Sequence, residues 1–583
     1  MLYLHRIVLY FGVALALTLS ANAETLNPNQ TSNLHLVGKV WGYLKYHHPT
    51  ITGGCLDWDE KLLRDIPEIL HAPDSDQVAN TLESWIDDLE RDDACAEKVV
   101  SQQHFGPRND WLLNQNRLGA ELVDRLGQLD GLAVVGGQHY VTQRPGVGNP
   151  VFENELLYSE VDELDWRYRL LALYRFWNIV EYWFPYRDLI DDDWDDVLAN
   201  SIPLFYAAED QRTYLLELAR LAARIDDGHA NVRESIYVRP PGGRNTAPFA
   251  IRMVEGKPFI WRQFDVVETD ASSTQTANKD QLEFGDVILK VDGTAVEELF
   301  SVASPFIGAS NAVSRDRVIA QFLLNGDSDS VSVQVERNGQ IVDIENRRLP
   351  RELLDITVQH WHDRAGATFQ LLSDEVAYLK LSSIDASRTA EYVEAARATK
   401  GLVIDIRSYP SSFVVFALGQ HLMTAHTPFV RFTRGDLAEP GSFLWMDPMV
   451  IEPMEPRYEG KIIVLVDEDS ASSAEYTAMA FRAAANAVVV GSQTAGADGN
   501  VSQIPLPGGY TAWMSGIGVF YPDKSGTQRV GIVPDIEMSP TIAGLREGRD
   551  EVLEIAIQQI LGDEVSSSEI REMAAFTDHL VRP

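Results

Sequence analysis

The sequence predicts a multidomain α/β protein, and three observations carry that prediction. From about 352 to 560, apolar strand patterns alternate with helical ones, the signature of a layered α/β core. Between about 245 and 350 the pattern changes to short alternating strands separated by turns. The stretch from 24 to 240 is dominated by helical periodicity and contains an internal duplication. A leader at 1–23 and a tail at 561–583 flank these regions.

The leader sets the compartment. His5-Arg6 precedes an apolar run, Ile7 to Leu19, which ends at Ala21-Asn22-Ala23 before Glu24. The run is short for a bilayer span, and the small-x-small site fits a cleaved secretory signal. The protein is therefore expected to be secreted or periplasmic, with no membrane span after cleavage. A formal net charge of -37 argues against nucleic acid or an anionic membrane as partner. Cys55 and Cys95 are compatible with one disulfide or with two thiols, and two cysteines without a paired motif make a structural zinc site improbable.

The duplication has a constant offset. Trp41, Tyr46, Pro49, Asp57, Trp58, Asp59, Leu62, Ile66 and Pro67 recur as Trp177, Tyr182, Pro185, Asp193, Trp194, Asp195, Leu198, Ile202 and Pro203, and both 177 − 41 and 194 − 58 give 136. Each copy reads as an aromatic-rich helix, a Pro-ended loop and a second helix begun by an Asp cap. His47 and His48 occupy positions that are Trp183 and Phe184 in the second copy, which favours packing over metal binding. A helical pattern from Tyr214 to Ile225 then stops at Asp226-Asp227-Gly228-His229, where the glycine breaks the helix and His229 opens a short strand or loop.

In the β-rich stretch, strands are expected at Phe259–Phe264, Val287–Val291 and Val331–Arg337. Leu282 to Gly293, with an Asp-Gly turn before a helix near Val296, resembles the hallmark of a PDZ domain. Such a module offers a sheet edge to an extended peptide.

In the last region, strands at 376–381, 402–406, 462–466 and 488–491 alternate with helices at 388–399, 413–421 and 476–485. The strand Lys461 to Val466 runs through Asp467-Glu468-Asp469 into Ser470-Ala471-Ser472-Ser473-Ala474-Glu475 and an apolar helix. A serine at a strand-to-helix junction suits a nucleophile, because N–H groups of the helix N-terminus lie beside its hydroxyl. The same Ser-x-x-Glu spacing is also a capping box. A second junction follows the strand Gly401 to Arg407, at Ser408-Tyr409-Pro410-Ser411-Ser412.

Taken in order, the helical region, the PDZ-like module, Gly401-Leu402-Val403-Ile404-Asp405-Ile406-Arg407, Ser470 to Glu475, Val490 to Gly496 and Gly531-Ile532-Val533-Pro534-Asp535-Ile536 resemble the tail-specific (C-terminal-processing) proteases and tricorn-core peptidases. The resemblance covers roughly residues 225 to 540 and implies a ClpP/crotonase-like core. It implies Ser472 as nucleophile, Ser473 as one oxyanion donor, and Ser411 or Ser412 as the other. Where tail-specific proteases carry a lysine base in a Gly-Lys-Gly turn, this chain reads Gly496-Ala497-Asp498-Gly499, so a Ser-Lys dyad is not available.

The tricorn-core branch instead takes its base from a histidine upstream of the PDZ, in a Ser-His-Ser-Glu tetrad, and His229 sits at the matching place. The residue before that histidine is serine in the family and Gly228 here; the tetrad glutamate falls on Gln528. The orienting residue stays open among Gln528, Asp226 and Asp227. The expectation is an exported serine endopeptidase that cleaves peptides or unfolded tails through an acyl-enzyme, with no cofactor or metal implied. The alternative is a non-catalytic peptide- or ligand-binding protein on the same scaffold.

Overall fold

The computed structural model describes residues 25–89, 95–97, 103–130, 132–134, 137–161, 165–267, 281–356 and 364–575. The leader lies outside them, as does the side chain of Cys95; Cys55 is exposed. Among the described residues no helix is long and apolar enough to cross a membrane.

The duplicated sequence folds into duplicated structure. Helices Pro28–His47 and Trp58–Leu70 form one copy, Trp166–Trp183 and Trp194–Tyr206 the other, with Asp57 and Asp193 capping the second helix of each. In each copy two indoles exchange hydrogen bonds: Trp41 Nε1 donates to the Trp58 carbonyl at 3.1 Å and Trp58 Nε1 to the Trp41 carbonyl at 2.9 Å. Trp177 and Trp194 repeat the exchange at 2.6 and 3.2 Å. Buried indole N–H groups need acceptors, and each finds a main-chain carbonyl on its partner helix. The repeat reaches further than the sequence reading, since Ser75–Asp87 and Gln211–Ala223 are a third pair of helices at the same offset, each capped by an aspartate.

Between the copies the chain is not helical throughout, which corrects the expectation for 24–240. Strand Gln103–Phe105 pairs with Phe443–Trp445 of the distant core, and short strands occupy Thr142–Gln143 and Pro150–Val151. The helices also share one apolar core with Ile504, Leu506, Tyr510, Ala512 and Met514. A buried quartet locks this joint. Lys45 and Arg175 face Asp59 and Glu155 at 2.5–3.1 Å, and Arg175 Nη1 donates to the Pro505 carbonyl at 2.8 Å. Two cations against two anions leave no net buried charge.

The β-rich module is an antiparallel sheet ordered Gln340–Arg347, Ser330–Arg337, Val287–Val291, Lys257–Gln263 and Phe249–Val254. Phe249–Val254 forms its edge, and helix Ala312–Phe322 packs beside it.

The C-terminal core is built on a six-stranded sheet, in the order Phe369–Leu371, Val376–Lys380, Gly401–Asp405, Lys461–Val466, Ala487–Gly491 and Ile536–Glu537. The first pairing is antiparallel and the others are parallel. Along Lys461–Val466 the side chains alternate between layers: Ile462, Val464 and Val466 pack under helix Ser473–Arg482, while Ile463 and Leu465 pack under helix Glu551–Leu561. Residues 561–575 correct the expected tail, because helix Ser567–Ala574 buries Ile570 and Ala574 against that second layer.

Candidate active site

Ser472 ends the turn that follows strand Lys461–Val466 and begins helix Ser473–Arg482. Its backbone sits at φ 53° and ψ −117°. A capping serine normally adopts extended dihedrals, and a side chain with positive φ is strained. The turn therefore holds Ser472 in a conformation that capping does not require, of the kind found at strained nucleophile elbows.

Glu475 is what fixes it. The buried carboxylate accepts from the N–H groups of Gly496 at 2.8 Å, Ala497 at 2.9 Å and Ser472 at 3.3 Å, and from the Thr494 hydroxyl. The Ala497 carbonyl in turn accepts the Ser472 N–H at 2.9 Å. Burial raises the Glu475 pKa, and the four donors act against that rise. The neighbouring serine candidate is spent on structure: Ser470 Oγ donates to the Ile406 carbonyl at 3.1 Å.

Ser472, Ser473, Tyr409 and Phe413 line one cavity of about 560 Å³. Ser473 is the first residue of the helix, so its N–H has no partner within the helix. Of the two expected donors in the second turn, Ser411 is excluded. Its N–H already donates to the Leu381 carbonyl at 2.9 Å and its hydroxyl to Ile384 at 2.8 Å. Ser412 lies between Ser411 and the cavity-lining Phe413, and no acceptor among the described residues takes its N–H.

Strand pairing fixes the position of His229. Asn231–Val232 pairs antiparallel with Tyr510–Ser515, with Val232 opposite Ala512 and Asn231 opposite Trp513. Continuing that register brings His229 opposite Ser515, and Nδ1 lies 2.9 Å from the Ser515 hydroxyl. Ser515 Oγ donates its single hydrogen to Asp227 Oδ1 at 2.9 Å. It must then accept from His229 Nδ1–H, which leaves Nε2 as the basic nitrogen. Asp227 is fully buried and also accepts from the N–H groups of Ser515 at 2.6 Å and His229 at 3.1 Å. The His229 side chain is 15% exposed, and burial lowers its pKa against a smaller opposing pull from Asp227.

The other orienting candidates resolve clearly. Gln528 does not bond His229; its Nε2 donates to Asp227 Oδ1 at 3.3 Å and to Ser310 Oγ at 3.2 Å. Asp226 faces away, accepting the Asp191 N–H at 2.9 Å with the Arg529 guanidinium 3.9 Å off. Ser515 was missed by the sequence reading because it ends an ordinary alternating strand. Only the pairing with Asn231–Val232 makes it a neighbour of His229.

Residues 375–538 match the family model described as Peptidase family S41. No curated protein matches the chain in sequence. Among solved structures, mature CPAF complexed with lactacystin is similar over 68% of this chain and 99% of that one, at 14% identity and a TM-score of 0.52. Mature CPAF alone gives 69%, 99%, 14% and 0.51. The photosystem II D1 C-terminal processing protease matches over 68% of this chain and 97% of its own, at 17% identity and a TM-score of 0.39. The likeness to CPAF is one of fold.

Proposed function

Because residues 375–538 form a domain of peptidase family S41, a family of serine peptidases, we propose that this chain is an exported endopeptidase that cleaves peptides or unfolded protein tails through an acyl-enzyme on Ser472. The observation that carries the reading is the hydrogen-bonded series Asp227, Ser515, His229, which holds a neutral imidazole whose Nε2 has no partner among the described residues, on a loop whose Gly228 lies against Ala497, the residue whose carbonyl accepts the Ser472 N–H. The positions that match the second serine and the glutamate of the Ser-His-Ser-Glu tetrad hold Gly228 and Gln528, and in this proposal Ser515 and Asp227 take their parts from elsewhere in the chain. In the first step His229 Nε2 takes the Ser472 proton as Oγ adds to the scissile carbonyl. The N–H groups of Ser473 and Ser412 receive the oxyanion. His229 then gives the proton to the leaving amine, and water, deprotonated by the same nitrogen, hydrolyses the ester.

The β-rich module is the PDZ-like element of this proposal. A groove of about 550 Å³ runs beside its edge strand, lined by Ile251, Met253 and Gln321. Tyr409 lines both that groove and the Ser472 cavity, and Ala471 in the groove adjoins Ser472. An extended chain added to the edge therefore leads toward the nucleophile. The leader at 1–23 supports export, which N-terminal sequencing of the secreted or periplasmic protein tests.

Unstructured peptides incubated with wild-type and Ser472→Ala protein test the activity. Cleavage by wild type alone supports the proposal. Saturable peptide binding without cleavage or serine labelling favours the non-catalytic reading, to which Ala497 at the lysine position points.

A further inference from the structure

The cavity beside Ser472 has a marked chemistry. Aromatic side chains form much of its wall, with Tyr476 stacked against Phe413 and Phe432 at centroid distances of 6.0 and 5.9 Å. Ile517 and Val519 add aliphatic surface. Two carboxyl residues, the buried Asp498 and the exposed Asp447, line it, and no Lys, Arg or His among the described residues does.

Asp498 is unusual among the buried acids. It is 4% exposed, and its Oδ1 accepts only the N–H of the adjoining Gly499, at 2.7 Å. Oδ2 meets no donor among the described residues. Other buried carboxyls in this chain are better met: Asp59 and Glu155 by Lys45 and Arg175, Asp405 and Asp550 by Arg407, and Asp227 and Glu475 by several hydrogen-bond donors each. Burial and the nearby Glu475 push the Asp498 carboxyl well above the usual range, as expected for an acid lacking a cation. Oδ2 is itself closed off from solvent, and a buried acceptor with no donor is costly unless a turn of the side chain brings it to a donor bound in the cavity.

We infer that Asp498 is a specificity residue, and that the Ser472 cavity takes a substrate side chain with an apolar stem and a cationic end, lysine or arginine. The aromatic walls cover the methylene stem, and their π faces also favour a cation. With the Asp498 side chain turned so that Oδ2 faces the cavity, the ammonium or guanidinium donates to it and holds Asp498 ionised while bound. The location of the cavity rests on the proposed role of Ser472, but the pocket's preference is testable without turnover.

The test uses acetylated, C-terminally amidated peptides that differ only in lysine against norleucine, so that no free carboxylate engages the edge-strand groove. Dissociation constants are measured on Ser472→Ala protein and on Ser472→Ala with Asp498→Asn, which keeps an acceptor for Gly499. The lysine peptide is expected to bind about tenfold or more tighter than its isostere, with the ratio falling to near one in the double variant. A ratio near one on Ser472→Ala, or a preference that survives Asp498→Asn, overturns the inference. Cleavage of the same peptides by wild type reports separately on the peptidase proposal.

Discussion

Gly228 lies against Ala497 so closely that a Cβ on the glycine would stand 2.6 Å from the alanine methyl carbon. These are two of the positions at which the chain departs from the lysine-using and histidine-using patterns of its resemblance. Their small size is one fact rather than two. The loop that carries His229 approaches the loop whose Ala497 carbonyl holds Ser472; Gly228 has no room for a side chain while Ala497 stays where it is, and Ala497 is itself buried.

Gly228→Ser is therefore expected to inactivate rather than to restore the tetrad. Overpacking of this kind costs roughly 1–3 kcal/mol. Thermal unfolding and kcat/KM should fall together, and Ala497→Lys should behave in the same way. An active, stable Gly228→Ser protein would show that the two loops separate freely.

Ser515→Ala removes the acceptor of His229 Nδ1–H and one of the donors to buried Asp227. A hydrogen bond to a charged group contributes about 1.5–3 kcal/mol, so kcat is expected to fall about tenfold or more. Ser515→Thr keeps the hydroxyl and should recover part of the loss. Equal kcat in Ser515→Ala and wild type would remove Ser515 from the account.

The acid limb of kcat/KM should lie below pH 6.5, because burial of His229 disfavours the imidazolium and lowers its pKa from that value. The neutral ring is the base, so activity is present above the folded-state pKa and is lost as pH falls through it. Asp227 opposes the burial effect. Asp227→Asn should therefore move the limb further toward acid while lowering the plateau, and a limb moved toward alkali would contradict the assignment.

Glu475→Gln places an amide NH₂ among four donors that now share one carboxylate. The expected loss is roughly 3 kcal/mol in chemical denaturation, together with activity, since the same carboxylate fixes the Ser472 turn. Full activity in Glu475→Gln would detach that turn from catalysis.

The helical repeats cannot be removed to isolate a working core. Deleting 24–220 uncovers Ile504, Leu506, Ala512 and Met514 on the two strands next to the site, one of which ends at Ser515. The shortened protein is expected to be insoluble on expression, and a soluble, active fragment would contradict the shared core.

Much of this architecture was legible in the chain because its signals are local. The duplication shows as a fixed offset, the Ser472 junction as an apolar strand running into Ser-x-x-Glu, and the β-rich module as a change of period. The orienting residue was not legible in the same way. Asp226, Asp227 and Gln528 are equivalent as letters, and only the fold turns Asp226 toward Arg529 and Asp227 toward Ser515. Ser411 failed as an oxyanion donor for a comparable reason. Its N–H is taken by Leu381, thirty residues upstream at the end of a parallel strand, a contact that no local pattern announces. Asp498 stood in plain view within the Gly496–Gly499 turn, but its lack of a cation is visible only once its surroundings are assembled.

The central claim is that Ser472 is a nucleophile activated by His229, and the rate of its covalent labelling by a fluorophosphonate measures that directly. The account expects one adduct, located by mass spectrometry at Ser472 and absent from Ser472→Ala. It expects labelling of His229→Ala to be slower by a factor of about 10² or more. Wild-type labelling rates in His229→Ala, or no adduct at Ser472 in the native protein, would contradict it.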